Sequence, residues 1–245
     1  MKGLYRFAGV LAEVSTLGNE THALCAPYCA EGAAAFAVET GREDIELERE
    51  KSAREDEREG RPVRRFPDGY LETLAVCRLL AEKLPAYGAL LVHGSCVAVD
   101  GKAYLFTAKS GVGKSTHARL WRELLGSRAE MVNDDKPFLR VTESDVLACG
   151  SPWDGKHRLS ANVAVPLRGI CLLSRAAENE IRHVTAAEAY PTLLQQCYRP
   201  ADAAALRETL ALLDRITGAT PLWRLGCNME LSAARLAFET MSAKE

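Results

Sequence analysis

The middle of the chain is written in short apolar runs broken by turn residues, with one clearly helical stretch among them. Ala89-Leu90-Leu91-Val92 predicts a buried strand leading into His93-Gly94. Ser95 to Val99 predicts a second strand, and Asp100-Gly101 a tight hairpin into a third, Ala103 to Thr107. Thr116 to Leu125 (THARLWRELL) has helical spacing. Ala129 to Asn133 is a short strand that ends in Asp134 and Asp135. Phe138 to Val141 and Val146 to Cys149 predict another hairpin, and Ile170 to Ser174 and Ile181 to Val184 further strands.

The C-terminal part changes rhythm. Thr185-Ala186-Ala187-Glu188 is a capping box, opening a helix that reaches Gln195-Gln196-Cys197 despite Pro191. Ala203, Leu206, Leu210, Leu213 and Ile216 form one apolar stripe. Pro221 to Leu225 predicts a strand, and Asn228 is a candidate cap for a last helix through Leu231, Leu236 and Phe238. Residues 1–66 are less periodic. Tyr5 to Val14 and Ala33 to Glu39 suggest strands of a small sheet, and the charged segment 39–65 suggests a solvated face, a mobile insertion or a docking surface for a partner. Asp68 is placed to cap a helix carrying Leu71, Leu74, Ala75 and Leu79, which Pro85 ends.

Composition narrows the class. The chain has 245 residues and a net charge of −2, enough length for a full core and no field to attract nucleic acid or a membrane surface. No run approaches the roughly eighteen apolar residues of a membrane span, and no signal-peptide apolar region follows Met1. The eight cysteines form no C-x-x-C pair and sit mostly in apolar segments, which fits a reduced, cytoplasmic setting. Cys25 and Cys29 are half a metal site at most, with nothing to supply the other half.

The chemistry is concentrated at Ala108-Lys109-Ser110-Gly111-Val112-Gly113-Lys114-Ser115. This is a phosphate-binding loop with Ala108 where the pattern has its first glycine, set between a predicted strand and a predicted helix. Ser110 through Thr116 would supply the cradle: Gly111 and Gly113 let the backbone of Ser110, Val112 and their neighbours turn N–H groups toward a polyphosphate. Lys114 adds a point charge, and the Ser115 hydroxyl can ligate Mg²⁺. Asp134, twenty positions after Lys114, and Asp135 stand at a strand end, where ligands of parallel sheets gather. One carboxylate can hold the metal and the other can take a proton from a hydroxyl; the sequence leaves open which does which. The Asp100-Gly101 hairpin would carry His93 back beside Thr107 and Ala108. Ser151-Pro152-Trp153-Asp154-Gly155-Lys156 reads as a loop in which Lys156 could neutralise transferring charge, or as a surface turn with Trp153 packed on the sheet.

Together His93-Gly94, the Asp100-Gly101 turn, Ser110-Gly111-x-Gly113-Lys114-Ser115 and Asp134-Asp135 resemble the catalytic domain of HPr kinase/phosphorylase. The resemblance covers about residues 90–140. The loop and the Asp pair are also similar to ATP-dependent phosphoenolpyruvate carboxykinase, and the whole chain looks most like small HPr-kinase-like proteins of Gram-positive bacteria. The HPr kinase signature R-G-x-G-I-I-[ND] has only an echo in Arg168-Gly169-Ile170, and its regulatory domain has no counterpart here.

These readings combine into an α/β expectation. A small N-terminal β-containing region (1–66) precedes a P-loop, kinase-like domain (67–245) of the HPr kinase/phosphoenolpyruvate carboxykinase type, with a mixed sheet and a helical C-terminal part. The expected activity is transfer of the ATP γ-phosphoryl group to a hydroxyl, on a protein serine or a small molecule. Asp134, Asp135, His93 and Lys156 are the candidate catalytic side chains, with Ser115 and the two Asp residues as Mg²⁺ ligands. A non-catalytic ATP-binding module of a peptide-modification system and a decarboxylating carboxykinase-like enzyme are the competing classes. The acceptor, any phosphorylase activity and the homo-oligomeric state are left open.

Overall fold

In the computed structural model, which describes residues 1–243, the stretch expected as one strand from Tyr5 to Val14 is two. β1 (Lys2–Phe7) and β2 (Val10–Ser15) are antiparallel, in a register that pairs Lys2 with Ser15 and Phe7 with Val10. Ala8 and Gly9 both take positive φ (47° and 79°), as a two-residue hairpin turn requires. After α1 (Glu20–Cys25), β3 (Phe36–Glu39) adds parallel to β2 and completes a three-stranded sheet.

Most of the charged segment 39–65 is helical. It folds into α2 (Arg42–Arg58), which packs against α3 (Asp68–Lys83). Only Ile45 of its apolar residues is buried, and Glu48 and Asp56 are buried with it. Both acids have cationic partners. Arg78 of α3 is bonded to Glu48 at 2.7 Å and Asp44 at 2.6 Å. Burial opposes the Arg78 charge, but those two carboxylates raise its pKa overall. Asp56 receives the side chain of Arg64 (2.8 Å) and its backbone N–H (2.9 Å), bonds that pull its pKa down to about 2. Buried acids paired this way look like surface charges in sequence, which hid the helix. Residues Met1–Lys83 form one compact unit and the described residues from Leu84 on form a second.

The second unit is a mixed α/β fold. β4 (Ala89–Leu91), β5 (Ser95–Val99), β6 (Lys102–Thr107), β7 (Ala129–Asn133), β8 (Phe138–Val141), β9 (Val146–Cys149), β10 (Ala164–Arg175), β11 (Glu180–His183) and β12 (Leu222–Cys227) build its sheet. The strand order is β4-β8-β9-β10-β6-β5-β7, with β12 alongside β10 and β11 alongside β12. β6, β10 and β12 are mutually parallel, and β5 is antiparallel between β6 and β7. The ends of β6, β7, β10 and β12 and the start of β5 therefore share one edge. α4 (Lys114–Leu125) and α7 (Leu231–Ser242) cover one face, with Trp121 buried between Tyr104, Phe106 and Phe238. α5 (Ala186–Gln196) and α6 (Ala203–Ala219) contribute Leu193, Leu212, Leu213 and Ile216 to the other core. Thr185 and Glu188 make the expected capping box of α5. Asn228 does not cap α7: Glu230 precedes that helix, and Asn228 Oδ1 instead accepts the Glu230 N–H at 3.1 Å. All eight cysteines are free. Among the described residues, no helix is long and apolar enough to cross a membrane.

Candidate functional site

The loop from Ala108 to Gly113 leaves β6 at the shared edge and runs straight into α4. Gly111 (φ 78°) and Gly113 (φ 123°) occupy conformations that a side chain would strain. Gly113 caps α4 by accepting the His117 N–H at 2.9 Å. The first turn of a helix leaves N–H groups without intrahelical partners, so the loop and the helix together present donors to an anion. Lys114 is the first residue of α4 and is buried; its ammonium donates to the carbonyls of Ala108 (3.0 Å) and Lys109 (3.4 Å). Burial lowers its pKa, while Asp135 and Asp134 act in the opposite sense, so both carboxylates are electrostatic neighbours of this amine. Ser110, Gly111 and Ser115 are exposed, and Val112 and Thr116 half-buried.

Asn133, the last residue of β7, organises the carboxylates and is fully buried. Its Oδ1 accepts the N–H groups of Asp135 (2.8 Å) and Lys136 (2.6 Å), which curls the chain immediately after the strand. Its Nδ2 donates to the carbonyls of Ser151 (3.0 Å) and Trp153 (3.3 Å), which ties the 151–156 loop to the same point. Asp134 is buried, and its Oδ1 accepts the Ser95 hydroxyl at 2.6 Å. A Cβ on Gly155 would stand 3.0 Å from Asp134 Oδ2, so a glycine there lets the loop lie against that carboxylate. Asp135 is half-buried, with Lys136 on Oδ2 and His93 Nε2 at 3.6 Å from Oδ1.

His93 sits where the hairpin was expected to bring it. Its carbonyl accepts the Thr107 hydroxyl at 2.8 Å, at the root of the 108–113 loop. Its own N–H donates to the Gln196 carbonyl (2.8 Å), and Nδ1 lies 3.0 Å from Gln196 Oε1. Partial burial, and then the nearby Lys114 charge, lower the imidazole pKa, against the pull of Asp135.

The structure thus brings Lys114, Asp134, Asp135 and His93 to one edge. Lys156 lies exposed in the 151–156 loop, which reaches the group through Gly155 rather than through the lysine. Trp153 is buried, so the loop packs inward. Sequence reasoning passed over Asn133, Ser95, Gln196 and Arg175, whose guanidinium donates to the Gly111 carbonyl at 2.5 Å. Asn133 and Ser95 had a weak local signal, as polar residues adjoining the Asp pair and His93. Gln196 and Arg175 had none.

No family model and no curated protein matches the chain. Among solved structures it is similar to the Hpr(Ser) kinase/phosphatase from Coxiella burnetii, at 10% identity and a TM-score of 0.35 over 62% of this chain and 99% of that one. This is a distant similarity of fold.

Proposed function

We propose that the chain is an ATP-dependent phosphotransferase that moves a γ-phosphoryl group to an acceptor hydroxyl, on a protein serine or a small molecule. The observation that carries this reading is a glycine-shaped loop at a helix N-terminus whose buried lysine neighbours two strand-end carboxylates. The loop amides and Lys114 would hold the polyphosphate. The Ser115 hydroxyl and an Asp134 oxygen are hard donors of the kind Mg²⁺ takes. Among the described residues, no set of three or more His, Cys, Asp or Glu side chains is arranged to hold a metal alone. Mg²⁺ is usually bound through one or two carboxylates together with substrate phosphates. When bound there, Mg²⁺ would supply neutralisation of phosphate charge.

Asp134 is assigned to the metal side, because the Ser95 bond to its Oδ1 holds the carboxylate in one orientation. Asp135 is assigned as the base that takes the hydroxyl proton, being the less buried of the two and adjacent to His93. His93 would orient the acceptor or the transferring group. The test incubates the purified chain with γ-labelled ATP and, separately, HPr, free serine and a cell extract. Label appearing on an acceptor, and lost with Asp135→Asn, is the expected result. Absence of both ATP binding and transfer would reject the assignment.

A further inference from the structure

Arg175 ends β10, and no motif pointed to it. The parallel register pairs Leu172 of β10 with Thr107 of β6, so Arg175 lies three residues further along, beside the phosphate loop. Its Nη2 donates to the Gly111 carbonyl at 2.5 Å. Within the loop, the Val112 N–H reaches back to the Lys109 carbonyl at 3.4 Å. Gly111 is the third residue of that turn, and its φ of 78° is the value that position takes in a type II turn. The carbonyl and N–H of one trans peptide point in opposite directions. A cation that holds the Gly111 carbonyl therefore also fixes the opposite direction of the Val112 N–H. That N–H makes a long bond to the Lys109 carbonyl, at 3.4 Å, which an anion could replace or share. Lys114 does the same for the carbonyls of Ala108 and Lys109. Two cations from different elements thus hold three loop carbonyls.

We propose that Arg175 is a positioning residue of the phosphate loop, which sets affinity for a polyphosphate by fixing the Gly111–Val112 peptide. The proposal rests on the phosphate reading of the loop given above. Arg175→Met keeps the side-chain length and removes the donors; Arg175→Lys keeps the charge. Amide hydrogen exchange at residues 110–113 is measured in the free protein, and inorganic tripolyphosphate and MgATP are then titrated. Loss of one charge-assisted bond predicts about a tenfold loss of affinity. Arg175→Met should speed exchange at Gly111 to Gly113 and weaken tripolyphosphate and MgATP by the same factor, with an unchanged Tm. Arg175→Lys should recover part of both effects. Unchanged exchange overturns the proposal, and so does a loss confined to MgATP, which would place the guanidinium on the nucleoside. If the wild type binds neither ligand, the phosphate reading fails, and the exchange arm alone decides whether Arg175 orders the loop.

Discussion

Replacing Asn133 with leucine should cost far more than a typical change of one polar residue. The amide makes bonds to the N–H groups of Asp135 and Lys136 and to the carbonyls of Ser151 and Trp153, all from a fully buried position. Leucine is close in size, so the loss is of bonding rather than volume. A net hydrogen bond is worth about 1 kcal/mol, and a buried group left unpaired costs about 1–3 kcal/mol. Asp135 and Lys136 are only half-buried, so their amides can recover water and belong at the low end of that range. The Ser151 carbonyl belongs to a buried residue and recovers less, while the Trp153 carbonyl keeps the Ser151 hydroxyl at 3.2 Å and loses about one net bond. The sum is about 4–6 kcal/mol. For a unit of this size that lowers Tm by roughly 8–24 °C, at about 2–4 °C per kcal/mol. Urea and thermal unfolding followed by Trp fluorescence would read it. Asn133→Asp keeps the acceptor but turns a carboxylate toward carbonyl oxygens, and should do no better than leucine. A loss below about 1 kcal/mol for Asn133→Leu would refute the view that this side chain holds the carboxylate turn and the 151–156 loop together.

Two further outcomes are expected. Asp134→Asn and Asp135→Asn should fail differently: the first weakens the Mg²⁺ dependence of nucleotide binding. The second keeps nucleotide affinity while turnover falls about 10²–10⁴-fold, the range for a lost general base; two variants with wild-type turnover would contradict both roles. In the N-terminal unit, Arg64 lowers the Asp56 pKa from 3.8 to about 2. A depressed carboxylate pKa stabilises the fold above its unfolded value and loses that contribution as pH falls through the folded one. Thermal unfolding of wild type and Asp56→Asn should therefore differ most above pH ~4 and converge toward pH ~2; a gap independent of pH would mean the ionised pair contributes nothing.

The parts of the molecule that could be read in sequence are those whose signals are local. The apolar run Ala103–Thr107, the glycines at 111 and 113 and the helical spacing after Lys114 lie within about 20 residues, and β6, the loop and α4 follow from them. Thr185 and Glu188 are three residues apart, and their capping box formed as written. The hairpin through Asp100-Gly101 was enough to bring His93 to Thr107. What could not be read is what folding joins. Gln196 meets His93 across 103 residues, and Arg175 meets Gly111 across 64. In α2 the difficulty was of another kind, because Glu48 and Asp56 are inward-facing residues that carry the composition of a surface. Their arginine partners, Arg78 and Arg64, become visible only once α3 and the 59–66 segment are placed.

The central claim is that the loop between β6 and α4 binds nucleotide phosphate through Lys114. Titration calorimetry of MgATP into wild type and Lys114→Ala tests it most directly, with circular dichroism confirming that the variant is folded. Lys114 is buried and, among the described residues, bonded to the loop carbonyls of Ala108 and Lys109, so alanine removes the charge nearest the proposed β and γ phosphate positions. The account predicts binding by the wild type and a loss of at least about a hundredfold in the variant, the equivalent of about 2.8 kcal/mol. Equal affinities in two folded proteins would contradict it.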